Sequence, residues 1–180
     1  QIIKSKFSGF MEMCKNTEAV SEITLQPIKR FDFDAAIIFS DILIILDALN
    51  IDVNFIKDYG PVIQKPESLN DILNLPTKLD QDIVEPCYKA ISIVKKELKN
   101  KPLVGFSAAP WTLASYFLEG KISKDLSVVR KFSYEHVNEM NFLIELLTNL
   151  IIEHLKNQIE SGVDSIQIFD THAYQMDYIF

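Results

Sequence analysis

The sequence predicts an α/β chain built on a parallel sheet, and three observations carry that prediction. Three short runs, Ala35–Phe39, Leu103–Phe106 and Ser165–Phe169, are rich in branched and aromatic residues, as strands covered by helices are. Each run stops at small or polar residues: Ser40-Asp41, Ser107-Ala108-Ala109 and Asp170-Thr171-His172. The segments between them repeat apolar residues at helical spacing, which gives a βαβαβ order and so parallel strands joined by crossovers. The runs begin at residues 35, 103 and 165, spacings about twice a minimal βαβ unit, so each connection carries extra helices. Three strands form either a small open sheet or a portion of a larger one.

Taken in order, Phe10 to Ile28 reads as one helix with Phe10, Met13, Val20, Ile23 and Leu25 on its apolar side, and Pro27 should end or kink its last turn. Ala35–Phe39 is a continuous apolar run, the pattern of a strand buried on both faces. Ile42 to Leu49 is a short helix, for which Ser40 or Asp41 would serve as N-cap. Residues 51–66 read as irregular, with a turn at Tyr59-Gly60-Pro61, and Ser68 to Leu75 as a helical turn or two. Asp80 to Lys99 is a long helix with Ile83, Ala90, Ile91 and Val94 inward and lysines near its carboxyl end. After Leu103–Phe106, Pro110 is placed for the first turn of a helix that closes near Gly120. Glu135 to Glu160 is the longest helix, with Met140, Leu143, Ile144, Leu147, Ile151 and Leu155 on one stripe and Gly162 as its stop.

Composition narrows the function classes. With 180 residues, 48% hydrophobic and 24% charged, the chain can bury one good core. No apolar run reaches the ~18 residues of a membrane span, and the amino end (Gln1, Lys4, Lys6) lacks a leader's apolar core. Cys14 and Cys87 form no disulfide framework, which suits a reducing cytoplasm; both read as buried thiols. A net charge of −7 without a basic cluster argues against nucleic acid and anionic membrane surfaces as partners. The only two arginines are Arg30 and Arg130.

The candidates for chemistry are the residues just past the three runs, since ligand-binding groups collect at the carboxyl ends of parallel strands. Asp41 leads them, with ordinary capping as its rival reading. Ser40, Phe106, Ser107, Asp170, Thr171 and His172 join it. Gly105 stands alone, so there is no glycine-rich phosphate loop. His136, His154 and His172 lack a spaced ligand set, which gives no metal site; His136 and His154 read as surface residues. A Ser107, His172 and Asp41 triad lacks a nucleophile elbow and is discounted. Trp111 and Tyr116 read as core before ligand contacts.

Four words of the chain fall in a recognisable order: Thr24-Leu25-Gln26-Pro27-Ile28-Lys29-Arg30, then Phe39-Ser40-Asp41-Ile42. Gly105-Phe106-Ser107 with Pro110-Trp111-Thr112-Leu113 and Tyr116 follows, and Ile168-Phe169-Asp170-Thr171 closes the series. In these words and their spacing the chain resembles the uroporphyrinogen decarboxylase family over nearly its whole length. The resemblance implies a (β/α)₈ TIM barrel, of which the three parallel strands would be the second to fourth. Residues 1–180 would be part of one barrel domain, without its amino-terminal segment and carboxyl-terminal half. It implies a cytoplasmic homodimer that removes carboxyl groups from the four acetate arms of uroporphyrinogen, with no cofactor and no metal, to give coproporphyrinogen for haem synthesis. By motif, Asp41 would be the catalytic carboxylate that receives the pyrrole N–H groups. Tyr116 and Thr171 would be substrate-contacting hydroxyls, and Phe39 and Phe106 would line the cleft.

The chain departs from the family pattern in several places. An Arg-Gln-Ala-Gly-Arg segment that precedes this region in the family is absent, as are the later strands with their histidine. Ala108 stands where glycine is usual, Leu46 for a proline and Asn50 for a glycine, and the loop from His172 to Gln175 lacks an expected glycine. Two alternatives stand beside the decarboxylase: a non-catalytic copy, truncated or decayed, and a zinc-dependent corrinoid or thiol methyltransferase of the same barrel superfamily. Because Arg30 and Arg130 do not end strands at the ligand face, the 180 residues alone are expected not to turn over uroporphyrinogen, and to aggregate or dimerise through open strand edges.

Overall fold

The computed structural model describes residues 6–121 and 123–176; Gln1 and Lys4 of the amino end lie outside them. The chain opens with two helices, α1 (Phe10–Cys14) and α2 (Thr17–Phe31), where apolar spacing predicts one. Asn16 makes the break: its side chain accepts the Ala19 N–H at 2.9 Å and starts α2 afresh. Pro27 does not end α2, because its missing N–H removes a single rung. The Asp32 N–H still reaches the Ile28 carbonyl, and a left-handed Asp32 closes the helix. After β1 (Ala36–Ile37) and the single turn α3 (Ile44–Asp47), the segment read as irregular is an antiparallel hairpin, β2 (Val53–Ile56) and β3 (Gly60–Ile63).

A short α4 (Leu69–Leu73) begins at Ser68, whose N–H donates to the Asp71 carboxylate. The long α5 (Gln81–Leu98) starts from Asp80, which accepts the Asp82 N–H. β4 (Leu103–Ala108) leads into α6 (Pro110–Glu119), with Pro110 in its first turn as the sequence predicts. Two helices follow, α7 (Ser127–Glu135) and α8 (Val137–Ser161), separated by a non-helical His136. The buried Glu119 caps α7 by accepting the Val128 and Val129 N–H groups at 2.9 and 3.0 Å. Gly162, at φ 116°, ends α8, and β5 (Ser165–Phe169) follows.

The three long-range strands form one parallel sheet in the order β1-β4-β5, with Ala36 opposite Leu103 and Val104 opposite Ser165. Helices α2, α5 and α8 pack together behind it. Alternate residues therefore face opposite ways. Ala36, Ile38, Leu103 and Ser107 are buried on the helix side, whereas Ile37 is 63% exposed and Phe39, Val104 and Phe106 are half-buried on the other. Burial on both faces is thus a correction for β1, and β5 is largely exposed, with Phe169 42% and Ile168 50% accessible. Among the described residues only one layer of helices covers this sheet, so the other face is incompletely covered, with Ile37 and Phe169 the most open.

The dry core lies outside the sheet. One cluster gathers α3, α6 and α8 around Leu46, Trp111, Leu113 and Leu147; a second joins α2 and α5 to the sheet through Val20, Ile91, Val94 and Leu103. His154 belongs to this interior and not to the surface. It is 2% exposed, and its Nδ1 lies 2.7 Å from the Tyr88 hydroxyl. Burial alone lowers its pKa to about 4, so it is neutral at pH 7.

Candidate functional site

Parallel pairing brings Asp41, Ser107 and Thr171 to the same end of the sheet, the carboxyl end. Asp41 lies four residues past Ile37, the last residue of β1. It is partly buried, and among the described residues its carboxylate makes one hydrogen bond, accepting the Leu43 N–H at 2.8 Å. Burial raises its pKa, and the Leu43 N–H opposes the rise. The local bond closes a turn ahead of α3, and α3 itself has Leu43 at its N-cap with no side-chain cap, so Asp41 caps its own turn and neither it nor Ser40 is the N-cap of the helix. It still leaves a desolvated carboxylate with acceptor capacity to spare.

Tyr116, on α6, feels the charge of Asp41. Its hydroxyl is held protonated chiefly by burial and then by the Asp41 charge. Its ring packs against His172, with centroids 5.2 Å apart. His172 is 8% exposed and its Nδ1 has no hydrogen-bond partner. Burial lowers its pKa, while Asp170 and Glu119 pull it back up. The strand-end segment that carries it is pinned to α6. The Thr112 hydroxyl donates to Asp170 at 2.8 Å, and the Trp111 indole N–H donates to the His172 carbonyl at 3.0 Å.

Phe39 and Phe106 stand at the open face, each edge-on to a second ring: Phe10 at 5.5 Å for Phe39, and Phe169 at 5.8 Å for Phe106. A cleft of 450 Å³ runs along the β1 edge of the sheet beside α2, lined by Ile37, Phe39, Phe106 and Ile28 among others. Phe106 is held from behind by Gln158 of α8, whose amide accepts its N–H at 3.0 Å and donates to its carbonyl at 2.8 Å. Only glycine at 105 allows this, since a Cβ there would collide with the Gln158 amide oxygen.

Thr171 is exposed and Ser107 turns inward, its hydroxyl donating to the Ala108 carbonyl. The nucleophile of the discounted triad is therefore occupied by its own backbone. Trp111 is core, at 2% exposure. Cys14 and Cys87 are both buried, and burial pushes the Cys87 thiol up to about 12. Among the described residues no three His, Cys, Asp or Glu side chains converge as a metal site would require, and no helix is long and apolar enough to cross a membrane. Sequence reasoning passed over Gln158 and misread the buried His154 as a surface residue. Yet both lie on the apolar stripe of α8, four apart and in step with Leu147 and Ile151, and that position was the available signal.

Comparison with known proteins agrees with the words in the sequence. The family model described as uroporphyrinogen decarboxylase (URO-D) matches residues 3–178. Uroporphyrinogen decarboxylase of Wolbachia pipientis wMel is 47% identical over 92% of this chain and 48% of its own length. That of Francisella philomiragia is 42% identical over 94% of the chain and 49% of its own, and that of Campylobacter hominis 39% over 97% and 52%. The chain thus spans about half the length of the curated relatives it matches. A methyltransferase from Methanosarcina mazei superposes with a TM-score of 0.68 at 18% identity, covering 91% of this chain and 51% of that one, a likeness of fold alone.

Proposed function

The chain belongs to the uroporphyrinogen decarboxylase family, and on that premise we propose that it is part of a single (β/α)₈ barrel domain, its strands the second to fourth. The activity we assign to that domain is removal of the carboxyl groups of the four acetate arms of uroporphyrinogen, without cofactor or metal, to give coproporphyrinogen. The observation that carries the assignment is Asp41: a partly buried carboxylate at a strand end, with a raised pKa and a single hydrogen bond among the described residues. Such a group is costly until donors reach it, and the inward-facing pyrrole N–H groups of the macrocycle supply them.

The chemistry follows from charge. Protonation of a pyrrole carbon makes the ring cationic, the bond to the carboxyl carbon breaks with its electron pair neutralising the ring, and carbon dioxide leaves an exocyclic methylene. A proton from solvent on that methylene completes the methyl group, and the ring carbon gives back the proton it took. A fixed anion under the ring stabilises the cationic state more than the neutral substrate, which is the difference catalysis needs. Tyr116 and Thr171 offer hydroxyls to the side arms, and Phe39 and Phe106 give the ring apolar walls. The working protein is proposed to be a cytoplasmic homodimer with this small molecule as its partner.

Turnover of uroporphyrinogen, read by porphyrin fluorescence after oxidation, tests the proposal. A protein carrying this chain with the remaining barrel strands should yield coproporphyrinogen, and the 180 residues alone should not. No product from the former would contradict the function; clear product from the latter would show the carboxylate-binding groups to be misassigned.

A further inference from the structure

A substrate with eight carboxylates needs cations around its rim, and this chain, at −7 net, has two arginines to offer. Arg30 is exposed on α2, over the Phe31 ring, before β1 begins. Arg130 lies elsewhere. With Lys124, Asp125, Tyr134 and the turn Tyr174–Met176 it lines a cleft of 570 Å³. That turn continues the segment that packs His172 on Tyr116, so along the chain the cleft's lining resumes two residues past His172.

The cleft is built for an anion. Among the described residues neither Arg130 nor Lys124 is in an ion pair. Among the described residues its one carboxylate is Asp125, which accepts the Ser123 hydroxyl at 3.0 Å and the Ser127 N–H at 3.4 Å, and these bonds lower its pKa. One wall is tied to the other, since the Gln175 amide donates to the Lys124 carbonyl at 3.2 Å. We propose that this cleft is an anion subsite for a carboxylate arm of the tetrapyrrole, with Arg130 gripping two oxygens and Lys124 adding a point charge. The inference rests on the functional reading above: a macrocycle centred on Asp41 sends its arms outward, where cations at the rim, and not beside Asp41, can meet them.

Uroporphyrin, the oxidised ring with the same eight carboxylates, is the probe, titrated by fluorescence into a protein carrying this chain with the remaining barrel strands. Arg130→Gln should weaken binding about tenfold, the scale of a charge-assisted contact, and Arg130→Lys should recover part of it. Arg30→Gln, an equal loss of charge away from the cleft, should change binding less than about twofold. Circular dichroism and melting of each variant establish that it is folded, and turnover of Asp41→Asn is measured alongside. Equal effects of Arg130→Gln and Arg30→Gln, with turnover lost in Asp41→Asn, would overturn the subsite and leave the function standing. Turnover retained in Asp41→Asn would count against the functional reading, and the subsite would fall with it.

Discussion

The two faces of the β1-β4-β5 sheet are made from alternate residues of the same strands, and they are finished to different degrees. Behind the sheet, Leu103 and Ala36 are closed in by α2 and α5, and even the polar groups are matched, His154 by Tyr88 and Gln158 by the Phe106 backbone. In front, Ile37 and Phe169 stand largely open, and Phe39, Phe106 and the end-group Asp41 are only partly covered. A sheet serving only as a floor would leave polar residues on its outer side. Here the open face is apolar along β1 and β4, with Ser165 and Gln167 only on its β5 edge, and it ends in a desolvated carboxylate, which fits a cleft better than a solvent surface.

If the covered side holds the fold, its side chains should dominate stability. Leu147, fully buried on α8, should lose about 2–5 kcal/mol on change to alanine, read as a fall in the urea midpoint. The next effect depends on pH. His154 is held neutral by burial with a pKa near 4, whereas in the unfolded chain it titrates near 6.5, so between those values the unfolded state binds the extra proton. Stability from this group is therefore present above pH 6.5 and is lost as pH falls toward 4, by up to about 3 kcal/mol. Urea midpoints at pH 7 and 4.5 should differ less in His154→Gln than in the parent chain. The smallest effect belongs to the open face. Ile37→Thr should cost within about 0.5 kcal/mol and reduce self-association on size exclusion. A loss there as large as that of Leu147→Ala would erase the distinction between the faces.

Periodicity made the frame legible. The strand order, the α5 and α6 boundaries and the stop at Gly162 follow from patterns a few residues long, and so does the gathering of Asp41, Ser107 and Thr171 at one end. What escaped were interruptions whose signal is a single residue. Asn16 restarts a helix inside an unbroken apolar rhythm, and Pro27 sits where one lost rung is tolerated. The Val53–Ile63 hairpin hid because Tyr59-Gly60-Pro61 read as pure turn, although Val53 and Ile63 are paired and both buried. Of the candidate site, the place of Asp41 past a strand-like run was legible from local pattern, and Tyr116 was pointed to by the resemblance alone. The Thr112, Asp170 and His172 pinning and the Lys124, Arg130 cleft depend on contacts between distant segments, which no local pattern reports.

The central claim is that Asp41 is an anion for the substrate as well as a cap for its own turn. Asp41→Asn keeps an oxygen for the Leu43 N–H and removes the charge, so it separates the two roles. Turnover of uroporphyrinogen by this variant, in a protein carrying the remaining barrel strands, should fall by about 10²- to 10³-fold with an unchanged melting temperature. Near-parental turnover would mean that Asp41 only caps.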